Sequence, residues 1–388
     1  MKKSFLAVLV MGLALLATSC GPKSPEADFT GPISVKGTVS GISDGAVVRL
    51  SLVGEPTPID SAIVEGESFL LHSAKVNGPS AASLTIYFGE PDSTGEQKTI
   101  SERIFLEGFP LTVESTGETE ETFGLAVRGS AANEAQLELN EALKPHASQY
   151  AALVEEYLSK ETAPERRIEV YRQLDAVDSV MTIIQQEAIR KNMGNTLGLT
   201  LLRNQFHGMN PDTVLSLIQK VPESISKSPY GEPMTARLTE WAEKQIATAI
   251  GKDYLDITLQ TPEGEDLSLS DLVSKNKLVL VDFWASWCGP CRLEMPNVVK
   301  AYKTFKEKGL EIVGISLDNN LEAWKKAIKD DGITWPQMSD LQGWKSAAAT
   351  LYGVSSIPST ILIDAEGKIV AKNLRGDELN AKISELLP

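Results

Sequence analysis

Two cysteines separated by two residues, in Trp284-Ala285-Ser286-Trp287-Cys288-Gly289-Pro290-Cys291, are the side chains best suited to chemistry in this chain. At that spacing Cys291 can reach back to Cys288, so the pair can open and close a disulfide; it can equally supply half of a tetrahedral zinc site. Zinc would need further ligands. There is no second Cys pair, and the three histidines, His72, His146 and His207, are widely separated with no ligand-like neighbour. They read as structural or surface residues, and thiol redox chemistry is the better account of the cysteines.

The surrounding elements must then favour one sulfur as an anion. Lys277 to Phe283 is a near-continuous apolar run, the mark of a strand buried on both faces, and it leads directly into the cysteines and a helix reaching about Glu307. The pair therefore sits at a strand-to-helix junction. Unpaired amides and the macrodipole at a helix start favour negative charge, which would lower the Cys288 thiol below its usual value of about 8.5 and make its thiolate the nucleophile. Further strands are expected at Leu310 to Leu317, Ile361 to Ile363 and Lys368 to Ala371, the last two joined by the turn Asp364-Ala365-Glu366-Gly367. Strands alternating with helices predict an α/β domain over residues 251–388.

Val281-Asp282-Phe283-Trp284-Ala285, Trp287, Cys288-Gly289-Pro290-Cys291 and Pro296 resemble thioredoxin in order and spacing. The likeness covers about 138 residues and is nearest to membrane-anchored thioredoxins of the TlpA/ResA type, supported by Pro262-Glu263-Gly264, by Leu267-Ser268-Leu269-Ser270-Asp271 and by the Asp-x-x-Gly-Lys turn at Asp364 to Lys368. It implies a thiol-disulfide oxidoreductase with no cofactor beyond a Cys288–Cys291 disulfide. Pro358 matches the family's cis-proline, beside which an extended substrate peptide can pair with free backbone. Trp287, Gly289, Pro290, Ile357 and Pro358 are accordingly the expected substrate-binding residues. Asp282 matches the buried aspartate of thioredoxin and Glu294 the glutamate of the ResA-like group; both are candidates for handling the proton of Cys291. Many relatives carry Asn at the position of Asp282, so this chain combines two features. The Gly-Pro dipeptide and the Ile before Pro358, as in reducing thioredoxins, favour a reductase over a disulfide oxidase or isomerase. A peroxidase is disfavoured because the Pro-x-x-x-Thr context of a peroxiredoxin nucleophile is absent around Cys288.

The first 20 residues bear on compartment. Lys2 and Lys3 precede a 13-residue apolar run, Phe5 to Ala17, which is too short for a permanent span of about 30 Å and reads as a secretion leader over residues 1–19. Small residues before Cys20 resemble a bacterial lipoprotein signal, although Ala17 departs from the usual Leu, so Cys20 is expected to be lipidated and held to the bilayer. That leaves one cysteine pair of the three. Residues 20–32, rich in Pro, Gly and Ser, then form a tether. The resemblance implies a periplasm-facing protein of the cell envelope that exchanges with exported protein thiols and disulfides, and an oxidising compartment calls for a membrane thiol-electron carrier.

Ahead of the α/β domain, residues 33–130 alternate with period two (Val48, Leu50, Leu52; Ala82, Leu84, Ile86, Phe88), predicting a small antiparallel β-sandwich-like domain. The stretch Asp60 to Phe69 resembles the β-rich N-terminal module of Bacteroidetes thioredoxin-like lipoproteins. Residues 131–250 turn to helical spacing, with Val170, Tyr171, Leu174, Val177, Met181 and Ile184 on one core-facing stripe and a helix starting at Asn210-Pro211. They read as a helical spacer. No catalytic cluster stands out before residue 251, which leaves open a non-catalytic, partner-binding lipoprotein. A formal charge of −15, more negative still without Lys2 and Lys3, argues against nucleic acid as a partner.

Overall fold

The computed structural model describes residues 29, 31–91, 95–117 and 123–388; the expected leader and Cys20 lie outside the described residues. The chain divides into two compact units, residues 1–137 and 138–388.

The first unit contains β1 (Ile33–Thr38), β2 (Val47–Leu52), β3 (Asp60–Ile63), β4 (Ser68–Ala74), β5 (Ser80–Phe88), β6 (Lys98–Leu106), β7 (Leu111–Thr116) and β8 (Gly124–Arg128). These form two four-stranded sheets, β4-β1-β7-β8 and β3-β2-β5-β6. Alternate side chains of both, Val35, Leu71 and Val113 from one and Leu50, Leu84 and Ile86 from the other, bury into a single core, so the sheets stack as a sandwich. Pairing is antiparallel except between β1 and β7, which run parallel. Parallel neighbours need a long connection, and here β2 to β6 lie between them in the chain. Gly37 on β1 pairs with Phe69 on β4, whose ring lies 1.9 Å from where a Cβ at Gly37 would sit. Near its start, α1 (Ala131–Leu158) carries the buried Asn133, whose amide donates to Phe105 O (2.8 Å) while Oδ1 accepts from Phe105 N–H (2.9 Å).

The second unit includes α2 (Pro164–Asn192), α3 (Thr196–Gln205), α4 (Pro211–Ile218), α5 (Glu223–Ser226) and α6 (Gly231–Ala247). As expected, Asn210 caps α4, accepting from the amides of Asp212 and Thr213, and Pro211 takes the first helical position. Val170 and Val177 are buried on α2, but Tyr171 is 62% exposed and falls off the stripe. Adjacent helical residues lie about 100° apart, so with Val170 fully buried at the stripe's centre Tyr171 falls at its solvent edge.

Beyond α6 come β9 (Thr258–Gln260), β10 (Asp266–Ser268), α7 (Leu269–Val273), β11 (Leu278–Trp284), α8 (Gly289–Phe305), β12 (Leu310–Ser316), α9 (Leu321–Asp330), β13 (Gln337–Met338), α10 (Ala347–Tyr352), β14 (Ser359–Asp364), β15 (Ile369–Lys372) and α11 (Gly376–Leu386). The main sheet has the order β13-β12-β11-β14-β15, with β12 parallel and β14 antiparallel to the central β11. Every residue of β11 is buried. Leu278, Leu280 and Trp284 point to one core with Cys288, Cys291, Met295 and Val298; Val279, Val281 and Phe283 point to the other with Leu269 and Tyr352. This is an α/β thioredoxin fold. Among the described residues, no helix is long and apolar enough to cross a membrane.

Asn133→Ala would leave both the N–H and the C=O of fully buried Phe105 without that partner. A loss of about 2–4 kcal/mol is expected, measured as a lowered urea midpoint for unfolding of the β-sandwich.

Candidate active site

The redox pair is built where β11 stops. Trp284 is the last residue of the strand, and its carbonyl still accepts from Leu317 N–H (2.8 Å). The chain then turns, with Cys288 N–H donating back to Ala285 O (3.0 Å). Asp318, just past β12, secures the turn: its carboxylate accepts from Ser286 N–H (2.9 Å), Ser286 Oγ (2.5 Å) and Ser316 Oγ (2.7 Å). The Trp284 indole N–H donates to Gln337 Oε1 (2.9 Å), tying the strand end to β13.

Cys288 is the N-cap of α8, with extended backbone, and its Sγ accepts from Cys291 N–H at 3.2 Å. A sulfur in that position answers an otherwise unpaired helix amide and stands at the positive end of the macrodipole, which is where a thiolate is stabilised. The two sulfurs form a disulfide with Cα atoms 5.3 Å apart, and both cysteines are buried. Of the expected substrate-binding residues, Trp287, Gly289 and Pro290 are exposed around the pair, while Ile357 is half-buried, Pro358 is buried, and the peptide bond between them is cis. Ile357 packs against the core that contains both cysteines.

Residues 250–372 match the AhpC/TSA family. The thiol-disulfide oxidoreductase ResA of Bacillus thuringiensis subsp. konkukian (strain 97-27) is 32% identical over 144 residues, which cover 37% of this chain and 80% of that protein. This chain belongs to the ResA-type thiol-disulfide oxidoreductases. ResA of Bacillus subtilis (strain 168) is 36% identical over 120 residues, 31% of this chain and 64% of that protein. A solved structure, a thiol-disulfide oxidoreductase from Bacteroides fragilis NCTC 9343, is 37% identical, with 35% of this chain and all 100% of that chain covered and a TM-score of 0.34.

In this ResA-type domain the two carboxylates singled out from the sequence sit differently. Asp282 is buried on β11, and strand alternation puts it on the same face as Leu280 and Trp284, the face covered by the cysteine-bearing helix. Burial, with repulsion from Glu294 added and attraction to Arg375 opposing, pushes its pKa up from 3.8 to about 7. Glu294 is half-buried, and its Oε1 accepts from Gly376 N–H (2.7 Å) and Asn297 Nδ2 (2.8 Å), so it holds the start of α11. Arg375, next to that start, donates from Nη2 to Pro358 O (2.5 Å). Asp282, Glu294 and Arg375 thus form one charged group that also anchors the proline loop.

Arg375, Asp318 and Gln337 were not among the sequence candidates. Arg375 and Asp318 each follow the end of an apolar strand, where a polar residue at the mouth of an α/β sheet is a usable signal; Gln337 carried none. Trp344 is a fourth such residue: it is 50% exposed with its ring 6.1 Å from that of Trp287, itself 53% exposed, so the residue next to Cys288 has a second exposed aromatic ring against it.

The raised pKa of Asp282 makes folding depend on pH in a fixed direction. The folded chain keeps the proton up to about pH 7, whereas the unfolded chain releases it near 3.8. The associated stability is full below the unfolded value and is lost as pH rises through about 7. Between pH 5 and pH 8 the disulfide-closed protein should lose on the order of 3 kcal/mol that Asp282→Asn does not lose, read from paired urea midpoints. Parallel pH profiles for the two proteins would remove the buried-carboxyl account.

Proposed function

We propose that this ResA-type oxidoreductase reduces disulfides of exported proteins while held at a bacterial membrane through lipidated Cys20. The observation that carries the thiol-disulfide mechanism is the Cys288–Cys291 disulfide at the N-terminus of α8, with the buried carboxyl of Asp282 on the strand beneath.

In the reductive direction, Cys288 thiolate attacks one sulfur of a substrate disulfide, a mixed disulfide forms, and the other substrate sulfur leaves as a thiolate that takes its proton from water. Cys291 then gives up its proton, with Asp282 as the acceptor, and attacks Cys288 to close the disulfide and release the second substrate sulfur as a thiolate, after which Asp282 returns the proton to solvent. Glu294 acts on this step through Asp282, whose proton its charge helps to retain. Trp287, Gly289, Pro290, Ile357 and Pro358 receive the substrate peptide. Two electrons from a membrane thiol-electron carrier reopen the pair for the next cycle. The leader-like first 19 residues and the small residues before Cys20 support an exported, lipidated protein facing the periplasm.

Cys288→Ser is expected to abolish insulin reduction, and Cys291→Ser to accumulate mixed disulfides with exported proteins in cells. The midpoint potential should lie near −270 mV, the thioredoxin value, and a value near −120 mV would make the protein an oxidase instead. Asp282→Asn should slow release of the mixed disulfide roughly 100-fold at pH 7, measured by stopped flow.

A further inference from the structure

Behind the proline loop lies a cavity of about 240 Å³, walled on one side by the helical segment (His207, Trp241 on α6, Gln245) and on the other by the thioredoxin fold (Ser355, Lys372, Arg375). Although the chain carries 52 Asp and Glu residues, none of the described ones lines it. Lys372 is half-buried, and its Nζ donates to Gln245 Oε1 (3.1 Å) and Thr248 Oγ1 (3.2 Å). An ammonium has three donors, so two neutral acceptors leave one for a guest. Arg375 holds the cavity's edge at Pro358 O with one of its five donors. His207 Nδ1 lies 3.2 Å from Ser355 Oγ, three residues before the cis-proline.

A half-buried ammonium with no carboxylate lining its cavity keeps a charge and a donor that an entering anion would satisfy. Burial indeed pushes the Lys372 pKa down, and burial together with Arg237 does the same to His207. Lys372 and Arg375 are the cationic side chains that line the cavity itself, which suits a single small anion better than a polyphosphate.

We infer that this cavity is a carboxylate-binding subsite, with Lys372 as its central donor and the acidic side chain or terminal carboxylate of a polypeptide as its occupant. The subsite adjoins Pro358, so under the reductase reading the polypeptide is the substrate, and the helical segment selects acidic sequences near the disulfide. Binding itself involves no electron transfer.

The test uses the full chain with its disulfide closed, so failure here is separable from failure of the redox mechanism. Succinate and two cysteine-free peptides differing only in Glu or Gln are titrated against ¹⁵N-labelled protein. The indole N–H of Trp241, assigned with Trp241→Phe, reports occupancy. A saturable shift with the Glu peptide, at least ten-fold weaker with the Gln peptide, is expected, and it should vanish in Lys372→Met and persist in Lys372→Arg. Tighter binding of the Glu peptide than of succinate assigns the site to a polypeptide, and the reverse order overturns that assignment in favour of a free carboxylate. Equal response to the Glu and Gln peptides overturns the subsite altogether, and this contrast on the unaltered chain decides the matter even where Lys372→Met fails to fold. Absence of any saturable shift does the same.

Discussion

A strand buried along its whole length must have its backbone paired on both sides, and at its end the chain must leave the sheet in a way that still satisfies the freed groups. For Leu278–Trp284 that exit is the start of α8. The last strand carbonyl, at Trp284, is answered by Leu317; the turn amide of Ser286 is answered by Asp318; and a helix amide, that of Cys291, is answered by Cys288 sulfur. One of the helix's unpaired donors is thus aimed at the atom that must carry negative charge. The same geometry that ends the strand without orphaned groups also prepares the nucleophile.

The electrostatics of the site follow from that burial. Asp282 is buried on its strand, so its neutral form is favoured, and Glu294 on α8 adds to the effect. Arg375 opposes both and at the same time holds Pro358 O. The proton affinity of Asp282 and the position of the cis-proline loop therefore share one guanidinium. Altering that arginine would disturb both properties together.

The helical segment contributes to the same loop. Gln245 Nε2 donates to Gly353 O (2.8 Å), His207 meets Ser355, and Lys372 on β15 reaches back to Gln245 and Thr248. These contacts fall on the stretch leading into the cis-proline. Within residues 138–388, the helices thus build one wall beside the cis-proline edge of the thioredoxin fold.

Much of this was legible without coordinates. The apolar run of β11, the Cys-x-x-Cys pair at a strand-to-helix junction, the cap at Asn210 and the alternation of β2 and β5 are local patterns, set by backbone geometry over a few neighbouring residues, and sequence alone determines them. The parallel β1–β7 pairing was not readable, because strand partners far apart in the chain leave no periodic trace. Tyr171 shows the same limit on a smaller scale: spacing places a stripe but not its edge, which depends on what packs against it. The chemical character of Asp282 was suggested by its place in an apolar strand, yet its proton affinity near neutrality is set first by how completely the fold buries it and then by Glu294 and, in opposition, Arg375, residues 12 and 93 positions away. The cavity at Lys372 belongs wholly to tertiary structure, since its walls come from segments over 100 residues apart and its charge balance exists only once they meet. Sequence determined which groups can do thiol chemistry; the fold decided which charges surround them, because electrostatic and packing energies depend on distance in space and not along the chain.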